Sequence, residues 1–141
     1  MQQRTMRRSR GFTLLELLVV VMIIALLSSI VGPRLFAQVG NARTKTAQAQ
    51  MKTLEDALSQ YRLDTGGFPA AEQGLTVLRQ APAGSPGWMG PYLTRDVPLD
   101  PWGHAYLWRN PGEKNEVEIA SLGGDGKPGG SGEAADLVHG F

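Results

Sequence analysis

The chain has 141 residues, with 14 Lys+Arg, 13 Asp+Glu, 18 glycines, 9 prolines and no cysteine. That length supports one domain with its own core, and the lack of cysteine excludes disulfide scaffolds, thiolate metal sites and cysteine nucleophiles. The net charge of +1 hides a split: Arg4, Arg7, Arg8 and Arg10 precede Phe12 with no acid among them, which leaves 10 basic against 13 acidic residues, or −3, over 12–141. A folded part of that sign excludes nucleic acid as the expected partner.

Phe12 to Val31 reads FTLLELLVVVMIIALLSSIV. About 20 such residues span the roughly 30 Å of a hydrocarbon core, and a helix apolar on every side is rarely the core helix of so small a domain. The spacing predicts a transmembrane or assembly-core helix, and the preceding arginines predict a cytoplasmic N-terminus. An ordinary cleaved secretory signal fits poorly, because Ser28-Ser29-Ile30-Val31-Gly32-Pro33 offers no small-x-small cleavage site. Glu16 is the only charge in the run. A carboxylate is costly in hydrocarbon and marks function by default.

Gly32-Pro33 predicts a kink or local melting, since proline removes a backbone donor and clashes with the preceding turn. Beyond it, Ala47, Met51, Leu54, Leu58 and Tyr61 recur at spacings of four and three, one apolar stripe of an amphipathic helix. Asp64-Thr65-Gly66-Gly67 predicts its C-cap. Ala71–Arg79 reads as a short second helix with Leu75 and Leu78 inward. Residues 81–103 are rich in Pro and Gly, yet Trp88, Tyr92, Leu93 and Trp102 predict an ordered loop. His104–Arg109 and Val117–Ser121 alternate about a Pro-Gly turn and predict a hairpin, with Val117 and Ile119 on one face and Glu116 and Glu118 on the other.

The tail SLGGDGKPGGSGEAADLVHGF carries hard oxygen donors at Asp125, Ser131, Glu133 and Asp136, among glycines that let carbonyls turn inward. Such a set favours Ca²⁺ over transition metals. It is no EF-hand, because the third and fifth positions from Asp125 are Lys127 and Gly129. A flexible glycine tail with scattered surface acids reads equally well from residue types alone. His104 and His139 have no motif company, and Asp100-Pro101 reads as a turn rather than half of a carboxylate pair. No enzyme is expected.

Arg10-Gly11-Phe12-Thr13-Leu14-Leu15-Glu16 closely resembles the class III signal of type IV pilin-like proteins. Gly66-Gly67-Phe68-Pro69, Glu72-Gln73-Gly74-Leu75, Gly90-Pro91-Tyr92-Leu93, Asp100-Pro101-Trp102-Gly103 and Ser121-Leu122-Gly123-Gly124-Asp125-Gly126 together resemble the major pseudopilins of type II secretion, over nearly the whole chain. The resemblance implies an α+β fold: a long N-terminal helix, transmembrane then amphipathic, packed on a small antiparallel sheet with a C-terminal calcium-binding loop. It implies a leader, residues 1–11, removed by a prepilin peptidase that cuts between Gly11 and Phe12 and methylates the new amine. A membrane and assembly-core helix over 12–33 and a periplasmic domain over 34–141 would follow. Pro33 matches the family's helix-breaking proline, and Glu16 the glutamate that meets such an amine on a neighbouring subunit. The implied calcium ligands are the carbonyls of Leu122 and Lys127 with Asp125, Ser131, Glu133 and Asp136. The implied partners are further copies of the chain, minor pseudopilins, the peptidase, and an inner-membrane secretion platform with its ATPase. The chain would sit in the bacterial inner membrane before assembly, and in a periplasmic pseudopilus afterwards, where the fibre helps export folded proteins. The alternatives are a type IV or competence pilin of a surface or DNA-uptake fibre, and a membrane-anchored periplasmic enzyme or binding protein.

Overall fold

The structure, a computed structural model, describes residues 11–141. The basic block with Arg4, Arg7, Arg8 and Arg10 lies outside the described residues. Helix α1 covers Leu14–Thr65, and strands β1 (Leu107–Arg109), β2 (Glu118–Ser121) and β3 (Leu137–Gly140) form one antiparallel sheet in the order β1-β2-β3. Two compact units divide between Gln38 and Val39.

The first unit is the apolar part of α1. It is long and apolar enough to cross a membrane, and its Leu, Val, Ile, Met and Phe side chains are exposed on every face. α1 runs through Gly32 and Pro33 without interruption, so the expected helix break at Pro33 is not present. Proline removes its own bond to the Ser29 carbonyl, yet the helix continues on both sides of it. Apolar spanning helices tolerate this, because side chains and neighbouring backbone take up the freed groups. The nearby Ser29 hydroxyl donates to the Leu26 carbonyl at 2.7 Å.

The second unit, Val39–Phe141, is built around the stripe of α1. Ala47, Met51, Leu54, Leu58 and Tyr61 are all buried, as the spacing predicts. The last four of them form the core cluster with Ala57, Leu75, Val77, Leu78, Tyr106 and Ile119, where each fully buried Leu contributes about 2 kcal/mol. α1 stops as expected: Gly66 takes a positive φ of 85° and its N–H donates to the Arg62 carbonyl at 2.8 Å. The second helix is not continuous. Gly74, at φ 63°, splits it into 3₁₀ turns at Ala71–Gln73 and Leu75–Leu78, while Leu75 and Leu78 do point inward. The loop after it is pinned by aromatics. Trp88 Nε1 donates to the Val77 carbonyl at 2.7 Å, and Tyr92 stacks edge-on against both Tyr61 and Trp88.

The hairpin forms as expected, with Trp108 opposite Ile119 and with shorter strands than the alternation suggests. Its faces differ from expectation. All four residues of β2 are buried, Glu118 among them. Strand β2 is central, and the turn 110–117 folds back over its outer face. Glu118 Oε1 accepts the Lys114 N–H at 2.8 Å, and Oε2 faces Arg109 Nη1 at 3.6 Å. The Lys114 N–H is the chief reason the Glu118 carboxyl lies below its ordinary range, against the opposing effect of burial.

Candidate assembly helix and glycine-rich loop

Phe12 and Leu14 are among the most exposed apolar side chains of the described residues. Between and beyond them, Thr13 and Glu16 close a capping box. The Thr13 N–H donates to Glu16 Oε2 at 3.0 Å, and the Glu16 N–H donates to Thr13 Oγ1 at 3.2 Å. The sequence Thr-x-x-Glu ahead of an apolar run is the signal for this device. Glu16 thus sits at the start of α1 with an acceptor for an orphan backbone donor, and places the only carboxylate of the apolar segment beside Gly11-Phe12.

The glycine-rich loop follows β2. Gly123, Gly126, Gly129, Gly130 and Gly132 all adopt positive φ, which an L side chain rarely takes. A bracket of buried polar groups anchors its base. Asp100, 4% exposed, accepts N–H bonds from Trp102 and His104 on Oδ1, and the buried Ser121 hydroxyl on Oδ2. His104 Nδ1 lies 3.0 Å from the Gly123 carbonyl oxygen. Rings then flank the loop: a Cβ on Gly124 would come within 3.2 Å of Trp102, and one on Gly126 within 3.0 Å of His104 Nε2. Asp100, Ser121 and His104 are the residue types of a nucleophilic triad, but Ser121 donates to the carboxylate and is fully buried, so it has no path to a substrate. Asp100 caps the turn that Asp-Pro predicts, whereas its bond to Ser121 joins distant segments and has no local sequence signal.

The expected ligands are placed unequally. Asp125 is exposed, and its Oδ1 accepts the Lys127 N–H at 3.0 Å. Asp136 crosses the loop to accept the Gly129 N–H at 2.9 Å on Oδ2, and its Oδ1 is buried with no partner. Ser131 is exposed and its carbonyl receives the Ala134 N–H. The Glu133 carbonyl accepts the Gly124 N–H at 2.7 Å, but its carboxylate turns to α1, with Oε2 3.8 Å from Arg43 Nη1. Among the described residues, no three of His, Cys, Asp or Glu converge as a metal-ligand group. The structure therefore does not gather Asp125, Glu133 and Asp136 into a carboxylate cluster. An orphaned buried carboxylate oxygen among hard oxygen donors does fit a cation.

An apolar helix headed by one carboxylate, joined to a small helix-on-sheet domain, defines a pilin-like assembly subunit. Residues 6–32 match the prokaryotic N-terminal methylation motif, and residues 34–140 match the family of type II secretion system (T2SS) protein G. The chain is 37% identical to type II secretion system core protein G of Pseudomonas aeruginosa, over 93% of this chain and 94% of that one. It is 39% identical to the core protein G of Vibrio cholerae, over 95% and 93%. Among solved structures it is similar to the major pseudopilin from the type 2 secretion system of enterohaemorrhagic Escherichia coli, with a TM-score of 0.63 and 33% identity, over 75% of this chain and 93% of that one. The chain belongs to the type II secretion protein G family, the major pseudopilins.

Proposed function

We propose that this chain is the precursor of a fibre subunit that is cut between Gly11 and Phe12 by a prepilin peptidase, N-methylated on Phe12, and polymerised through its apolar helix. The observation that carries the reading is the segment 12–33: apolar and exposed on every face, with Glu16 as its one charge. Such a surface needs lipid or copies of itself around it. In the membrane the N-terminus is cytoplasmic and the domain periplasmic, following the positions of the arginines. Packing of helices replaces lipid contacts with protein contacts. The new Phe12 amine of an arriving copy then gives Glu16 an opposite charge in low dielectric, which sets register. The inner-membrane platform and its ATPase supply the work of extraction, and minor pseudopilins join the same fibre. The family match favours this role over a surface or DNA-uptake pilin.

Calcium belongs to the same proposal. Asp125, Asp136 and Ser131, with the carbonyls of Leu122 and Lys127, are the residues that would hold it. The bound ion would supply the positive charge that the buried Asp136 Oδ1 lacks. Mass spectrometry of the mature protein's N-terminus tests the processing step: a methylated Phe12 is expected, and a chain in membranes that retains residues 1–11 overturns it.

A further inference from the structure

Gly40 is buried in a stretch of α1 where Val39, Asn41, Ala42 and Arg43 are exposed. Its backbone is helical, so no positive φ calls for glycine there. Glycine is also a poorer helix former than alanine. What occupies the space of a side chain there is Glu133: a Cβ on Gly40 would overlap Glu133 Oε1 and lie 2.8 Å from Glu133 Cγ, so the Glu133 side chain would have to move away. One turn along, Arg43 Nη1 faces the same carboxylate. That pair is half-exposed and adds little by itself. The close approach at Gly40 is the specific part. Glu133 meanwhile holds the Gly124 N–H through its carbonyl, so a single residue joins the first turn of the glycine-rich loop to the helix.

We propose that Gly40 is a seat on α1 for Glu133, and that Glu133 docks the glycine-rich loop on the helix instead of ligating its cation. The seat stands on geometry alone, whereas the exclusion of Glu133 from the cation rests on the calcium reading above.

A thermal cycle on the full chain in detergent micelles tests the seat. Displacement of Glu133 is expected to offset the gain in helix propensity, so Gly40→Ala should leave Tm nearly unchanged and speed hydrogen exchange at residues 131–135. In a Glu133→Ala background the same change is expected to raise Tm, because only helix propensity is left to act. If Gly40→Ala raises Tm as much with Glu133 present as without it, the seat is wrong. Calorimetric titration with Ca²⁺ tests the second half. Glu133→Ala should bind calcium as wild type does, while Asp136→Asn should lose about tenfold or more in affinity. An equal loss in Glu133→Ala makes Glu133 a ligand and overturns the assignment. Wild type that binds no calcium overturns the calcium reading alone, and the melting cycle still decides the seat.

Discussion

Thr13 and Glu16 satisfy each other's backbone N–H at the first turn of α1, at 3.2 and 3.0 Å. Glu16 therefore has two duties, capping its own helix and offering a negative charge to a neighbour, and they separate by substitution. Glu16→Gln keeps an acceptor for the Thr13 N–H and loses the charge, whereas Thr13→Ala keeps the charge and loses about 1 kcal/mol of helix capping. Both proteins are expected to be cleaved after Gly11. Glu16→Gln is expected to yield no sheared fibres on immunoblotting, and Thr13→Ala reduced amounts. Wild-type fibre levels from Glu16→Gln would remove the charge from the assembly step.

The Asp100 bracket should behave as a buried network. Asp100→Ala strands the Trp102 and His104 amides and the Ser121 hydroxyl. A loss of about 3 kcal/mol in denaturant unfolding is expected. Ser121→Ala removes one donor and should cost about 1 kcal/mol. A loss below 1 kcal/mol in Asp100→Ala would mean that water or relaxation replaces these bonds.

Leu58 and Leu63 lie five residues apart on the same helix. Leu58 is fully buried and Leu63 is 78% exposed. Leu58→Ala should lower stability by about 3 kcal/mol, and Leu63→Ala by less than about 0.5 kcal/mol. Equal effects on the unfolding midpoint would contradict the placement of the stripe.

Strand β3 is tied to α1 by His139 Nε2, 2.7 Å from Glu55 Oε2. Glu55 also accepts from Lys52 at 2.8 Å, and Lys52 reaches Asp56 at 3.6 Å. The Lys52 bond, then the His139 bond, hold the Glu55 carboxyl below its ordinary range against some burial. A carboxyl lowered by folding adds stability that is complete above its unfolded pKa and disappears as pH falls through the folded one. Stability is thus expected to decline below the ordinary glutamate pKa, and Glu55→Gln to flatten that part of the curve. The check is Tm against pH for both proteins; parallel curves would exclude Glu55.

The parts of the fold set by spacing were legible in advance. Five stripe residues, the glycine stop at Gly66 and the β1–β2 hairpin all follow from periodicity and turn chemistry. What escaped depends on contacts between distant segments. Glu118 alternates like a solvent-facing residue, and only the fold-back of 110–117 makes it a buried acceptor. The Glu133 side chain meets Gly40 and Arg43 on α1, a contact that nothing in its local sequence signals. Pro33 follows the local rule for a break, yet α1 continues through it.

The sheet has two open edges, and both are short: three residues in β1 and four in β3. An unpaired edge is a template for a foreign strand, and curtailing it is a common protection. For a subunit held at high local density among its own copies, this matters more than for a dilute enzyme. Arg109 on one edge and His139 and Gly140 on the other leave little backbone for a runaway cross-β stack. Short edges of this kind disfavour strand-on-strand assembly and leave contacts between copies to the apolar helix.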